Sequence, residues 1–200
     1  MATRIQKMKW DLHSYKQKVL LIWGLKNGLI TPYDDQLIEK LRTVYYGGIP
    51  ASVILLSDGM TNISSFAFNG MKSLTSVTIP KSVMNIGDNA FSSCTNLQDM
   101  YYLGTVNDWA KIDFVSAESN PMLYAKNEYF NNQKLTDVTF SEDITEIKNY
   151  ACCGCDSITS VIIGENISSI GEKAFADCVN LNNIEISNNI QSIYATSFAN

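Results

Sequence analysis

The chain carries one histidine, His13, in 200 residues. Histidine is the commonest catalytic base and a frequent metal ligand, so both roles are nearly closed from the start. The five cysteines are odd in number and show no framework spacing, which argues against a disulfide scaffold. The run Cys152-Cys153-x-Cys155 holds too few ligands for a closed tetrahedral zinc site, and His13 lies 139 residues earlier. No phosphate-binding glycine loop, no H-E-x-x-H and no G-x-S-x-G occurs. The carboxylates, among them Asp143, Glu146, Glu165 and Glu172, are scattered and do not pair as an acid and a base must. The expectation is a non-enzymatic protein with no cofactor, no metal and no small-molecule substrate.

Long apolar runs are missing too. The longest near the start is Val19-Leu20-Leu21-Ile22-Trp23, far short of the roughly 20 residues that span a bilayer. No small-residue cleavage site follows it, so the sequence predicts neither membrane insertion nor a secretory signal. The net charge is −5, but it is uneven. Residues 1–26 hold Arg4, Lys7, Lys9, Lys16, Lys18 and Lys26 against Asp11 alone, so they are basic and the remainder is strongly acidic. No aromatic-basic platform accompanies the basic segment, so nucleic-acid binding is not expected.

What the sequence does contain is a period. Leu74 to Leu97, Leu135 to Ile158 and Ile158 to Leu181 are each 23 residues apart, while Leu97 to Leu135 is 38. Fixed self-similarity at this spacing is the mark of a solenoid. The units begin at 51, 74, 97, 135, 158 and 181, and the third reads as interrupted by a 15-residue insertion. Within units the apolar positions recur: Leu74, Val77, Ile79, Val83, Ile86, Ala90, Phe91 and Cys94 match Ile158, Val161, Ile163, Ile167, Ile170, Ala174, Phe175 and Cys178. Val77-x-Ile79 reads as a short strand with one buried face. Ile170-Gly171-x-x-Ala174-Phe175 reads as a tight turn into a short helical or 3₁₀ stretch. Cys94, Cys155 and Cys178 share one repeat position and read as small apolar fillers of a stacked interior. One unit cannot bury its own apolar face; stacking buries it, with parallel strands about 4.8 Å apart.

The segments LTSVTIPKSVMNIGDNAFSSCTNL and ITSVIIGENISSIGEKAFADCVNL resemble the BspA-type leucine-rich repeats of bacterial and phage-encoded proteins, over residues 51–200. Tyr102-Leu103-Gly104-Thr105, with Trp109, Asn120-Pro121 and Tyr124-Ala125, is similar to a segment such proteins carry between repeats. The fourth unit departs from the pattern. Cys152 stands where Phe is usual and Lys148 follows Ile147 where Gly is usual, so a looser rung is expected there. The fold class is therefore an α/β repeat solenoid of about six rungs with parallel short strands, preceded by an N-terminal helical segment.

Residues 1–50 fall outside the period. Ile5, Met8, Leu12, Tyr15, Val19 and Ile22 are spaced 3, 4, 3, 4, 3, a heptad-like stripe that predicts an amphipathic helix. A second helix is expected from Gln36 to about Tyr45. Two roles stay open: a cap on the solenoid end, or an anchor for docking and homo-oligomerisation. Leu25 to Leu41 is similar to helical leaders of phage tail and fibre proteins. The resemblances imply a protein-binding or structural module that displays its repeats to other virion proteins, or to a host surface. The alternative is a bacterial cell-surface adhesin. The aromatic-rich insertion at about 102–131 supplies the candidate contacts Phe114, Tyr129 and Phe130, because exposed aromatics anchor interfaces.

Overall fold

The computed structural model describes residues 52–141 and 143–199, together with the backbone strands at 19–22, 45–46 and 49–50. The repeats stack as the rungs of a β-solenoid. Each contributes a four-residue strand and then a two-residue strand. In the first two units these are β4 (Val53–Leu56), β5 (Asn62–Ile63), β6 (Ser76–Ile79) and β7 (Asn85–Ile86). The third unit gives β8 (Asp99–Tyr102) and β9 (Asp113–Phe114). A hairpin follows, β10 (Asn127–Phe130) with β11 (Gln133–Lys134). The last three units give β12 (Asp137–Phe140), β13 (Glu146–Ile147), β14 (Ser160–Ile163), β15 (Ser169–Ile170), β16 (Asn183–Ile186) and β17 (Ser192–Ile193).

Stacking is parallel and in register. Val77 lies between Ile54 and Met100, and Val161 between Val138 and Ile184. Alternation decides which face is buried: Val77 and Ile79 are sealed, while Ser76 and Thr78 are half-buried on the outer face.

The stretch expected to be helical or 3₁₀ after each two-residue strand is a run of tight turns in five of the units, while after β9 it is two 3₁₀ turns. The backbone explains this. Alternate amides leave the rung: Phe66, Phe68 and Gly70 donate to the carbonyls of Asp88, Ala90 and Ser92 one rung on. The amides between them close three-residue turns, as from Asn69 to Phe66. An α-helix would spend all of these donors inside the segment. Left-handed residues recur to aim them outward, at Phe66 and Gly70, Asn89 and Ser93, Tyr150 and Gly154, and Lys173 and Asp177. The rungs also approach closely here. A Cβ at Gly171 would lie 2.5 Å from the Asn149 backbone nitrogen.

The main sheet is interrupted once. Strands β4, β6, β8, β10 and β11 belong to one sheet and β12, β14 and β16 to another; β5-β7-β9 and β13-β15-β17 are likewise separate. The 38-residue interval is thus not one inserted block. Asp99 pairs with Asn127, 28 residues on, and the chain then returns through the β10–β11 hairpin to Asp137. The lengthened third rung holds α1 (Val106–Ala110), the one α-helix among the described residues, and two 3₁₀ turns at Ala117–Ser119 and Pro121–Leu123. Thr105 and Asp108 close a capping box on α1.

Before the repeats, β1 (Val19–Ile22) pairs in parallel with β4, and β2 (Tyr45–Tyr46) pairs antiparallel with β3 (Ile49–Pro50). The expected helix therefore does not extend through Val19 and Ile22. That stretch is continuously apolar and β-branched at both ends, so it suits a strand, and it completes the free edge of β4. Ile5, Met8, Leu12 and Tyr15 lie outside the described residues, as does His13. So does the second expected helix, except Tyr45, which lies in β2.

Candidate functional site

The outer face of the larger sheet carries one row of matched positions: Leu55, Thr78, Tyr101 and Tyr129. The last two are half-buried and stacked, with ring centroids 4.8 Å apart and planes 12° off parallel. Both rings stand on adjacent strands, so the 28-residue register of β8 and β10 brings them together. Burial holds the Tyr101 phenol above its ordinary value, with Asp99 and Tyr129 adding to the effect. The hydroxyl is therefore a neutral donor and acceptor at physiological pH.

Two residues earlier on β8 and β10, on the same outward face, polar side chains form a chain with Lys134 of β11. Lys134 Nζ donates to Asn127 Oδ1 at 3.1 Å, and Asn127 Nδ2 donates to Asp99 Oδ1 at 3.1 Å. A fixed aromatic pair thus stands beside an ordered polar strip. Aromatic anchors with few rotatable bonds and oriented polar neighbours are the features that concentrate binding energy at protein interfaces.

Of the three expected contacts, Tyr129 reaches the surface. Phe114 and Phe130 do not; they are 6% and 7% exposed. Both pack on Trp109, at centroid distances of 5.3 Å and 5.7 Å, and Tyr102 completes the cluster. Aromatic density in the sequence could not separate the two roles, because strand phase decides them. Phe130 is an inward position of β10 and Tyr129 an outward one. Tyr101 is likewise an outward position, on β8. The signal that locates it is the match of Asp-Met-Tyr-Tyr at 99–102 with Asn-Glu-Tyr-Phe at 127–130.

The aromatic cluster also seals the break between the two stacks. Trp109 Nε1 donates to the Ala151 carbonyl at 2.6 Å, and Asn120 Nδ2 donates to the Tyr150 and Ala151 carbonyls at 2.7 Å and 3.1 Å. Asn107 Nδ2 donates to Ser141 Oγ at 2.6 Å, and Lys148 is paired with Asp113. The fourth rung is therefore closed, not loose: Ala151, Cys152, Cys153 and Cys155 are fully buried.

The cysteines hold no exposed thiol. Burial pushes Cys94 and Cys153 up to about 11 and Cys178 up to about 12. Cys94 and Cys178 Sγ donate to the carbonyls of Phe68 and Cys152 on the previous rung, each at 3.1 Å. The recurring cysteine is thus a filler that also satisfies a backbone acceptor. Among the described residues no group of His, Cys, Asp and Glu is arranged to hold a metal ion.

The sequence pattern of the BspA type leucine rich repeat region matches this chain in six copies, over residues 42–120 and 123–200. The match begins before residue 51 and so takes in β2 and β3. No curated protein matches the chain. Among solved structures, a leucine rich repeat protein of T. pallidum is similar at 21% identity and a TM-score of 0.39, over 70% of this chain and 72% of that one. One from Bacteroides ovatus has 18% identity and a TM-score of 0.39, over 74% of this chain and 44% of that one. One from Eubacterium ventriosum has 21% identity and a TM-score of 0.36, over 70% of this chain and 32% of that one. The chain therefore spans less than half the length of two of the three. The repeats, their register and the match over most of the sequence agree: the chain belongs to the BspA type leucine rich repeat family.

Proposed function

We propose that this protein is a binding module that presents the outer face of its larger sheet to another protein, with Tyr101 and Tyr129 at the centre of the contact. The stacked, half-buried tyrosine pair carries this reading. The two rings stack on adjacent strands, and they lie beside the Asp99–Asn127–Lys134 strip. The family is a structural or binding repeat fold, which supports binding over catalysis.

The setting we propose is a phage particle, on which the chain is a structural or accessory protein and residues 1–50 provide attachment to other virion proteins or to further copies. The likeness of Leu25 to Leu41 to phage tail and fibre leaders supports it. The test uses a photo-crosslinking residue in place of Thr78, beside the tyrosines, and a control at Ser169 on the two-residue strand of the fifth rung. Purified particles that contain the protein, with a discrete crosslinked partner from position 78 alone, are the expected result. Crosslinks from both positions alike would reject the face. Protein found on the bacterial cell surface and absent from particles would reject the setting in favour of an adhesin.

A further inference from the structure

The inward slot of β10 breaks with its neighbours. In register, that slot holds Ile54, Val77 and Met100 above it, and the equivalent slots of β12 and β14 hold Val138 and Val161. In β10 it holds Glu128, opposite Met100. Glu128 is fully buried, and neither carboxyl oxygen has a hydrogen-bond partner among the described residues. The Ser157 hydroxyl beside it is buried too and makes no hydrogen bond of good geometry. Burying a carboxylate without partners is costly, which favours the protonated form.

The surroundings come from both stacks. The turn after the fourth rung brings the Cys155 thiol, the Ser157 hydroxyl and the Asp156 carboxylate; Cys152 stands behind Cys155; β11 brings Lys134. Burial raises the Glu128 carboxyl from its ordinary value and Asp156 adds to the rise, while Ser157, Cys155 and Lys134 oppose it. The place is also singular. Glu128 O accepts from the Leu135 amide at 2.8 Å, where the chain leaves one sheet to begin the next.

We propose that Glu128 is a proton-operated latch: neutral, it closes β10 onto the Cys155–Ser157 turn; ionised, it loosens the joint between the two stacks. A carboxyl raised on folding holds its proton more tightly in the folded state. Stability is therefore full below the ordinary carboxylate range and falls as pH rises from there through the raised value. Asp108 acts in the opposite sense. Burial pushes it up, but its hydrogen bonds with Thr105 outweigh burial and hold it low. The informative quantity is thus the difference between wild type and a Glu128 variant.

The test compares thermal melts and amide exchange of the full chain and Glu128→Gln between about pH 5 and about pH 8.5. At the upper pH the variant should melt about 2–4 °C higher than wild type, and the gap should close toward the lower pH. At the upper pH, exchange at Leu135 and across 152–157 should slow about tenfold in the variant, with β14 and β16 unchanged. A gap independent of pH, or a wild type more stable at the upper pH, overturns the latch. Should Glu128→Gln not fold, Glu128→Met places the residue of the Met100 slot there and is read in the same way. Failure of both to fold also overturns it.

Discussion

Two junctions in this solenoid do the same work by different means. Between the fifth and sixth rungs the backbone joins itself: β14 pairs with β16, β15 with β17, and the Phe175 and Asp177 amides donate to the Ser197 and Ala199 carbonyls. Between the third and fourth rungs the paired strands stop, and side chains carry much of the connection. Trp109, Asn120, Asn107 and Lys148 reach across to the next stack. The first kind of joint is encoded by repetition and tolerates variation at any outward residue. The second is encoded by single residues with no counterpart in the other described rungs. A repeat protein can therefore change its rung geometry, but the change then rests on a few irreplaceable contacts.

The comparison can be broken most severely from the repetitive side. Ile170→Asp places an unpaired charge in a fully buried stacked slot and should destabilise the fold by about 4 kcal/mol or more. A circular-dichroism melt unchanged by it would refute the rung alignment itself. At the spliced junction the effect should be smaller and local. Trp109→Phe keeps a ring in the cluster and removes the indole bond to Ala151, at a cost of about 1–2 kcal/mol. Amide exchange should quicken over 143–157 and stay unchanged over 52–104. A uniform rise along the chain would show that the two stacks are not separable. The smallest change expected is from Lys148→Ala. Its ion pair with Asp113 is partly exposed, with the carboxylate 60% accessible, so the loss should be about 0.5 kcal/mol or less and shrink further in high salt. A larger loss would make the ion pair a principal tie of the junction.

Much of the architecture was legible because the period and the strand phase are arithmetic. Val77 and Ile79 could only be inward once Leu74 and Leu97 were matched. The corner was not legible. Ala90-Phe91 and Ala174-Phe175 have the spacing of a helical turn, and the choice against a helix is made by carbonyls one rung away, beyond the reach of local pattern. The same limit applies to Cys152. Its small size suggested a loose rung, but Trp109, 43 residues earlier, closes the rung by bonding the Ala151 carbonyl. The candidate face was half-visible. Tyr129, Phe114 and Phe130 look alike in the sequence, because the phases of β9 and β10 emerge only from their pairing with β7 and β8. Glu128 was hidden for the same reason, since a glutamate in an aromatic-rich stretch does not declare which side it faces.

The buried thiols have a consequence for where such a scaffold can work. A reactive thiolate must be both ionised and reachable. All five cysteines are free, enclosed and held in the thiol form, two of them by serving as donors to a neighbouring carbonyl. The folded repeats thus offer neither a partner for disulfide exchange nor a nucleophile to an oxidant. A molecule assembled in a reducing compartment and carried into an oxidising one would arrive with its covalent structure unchanged.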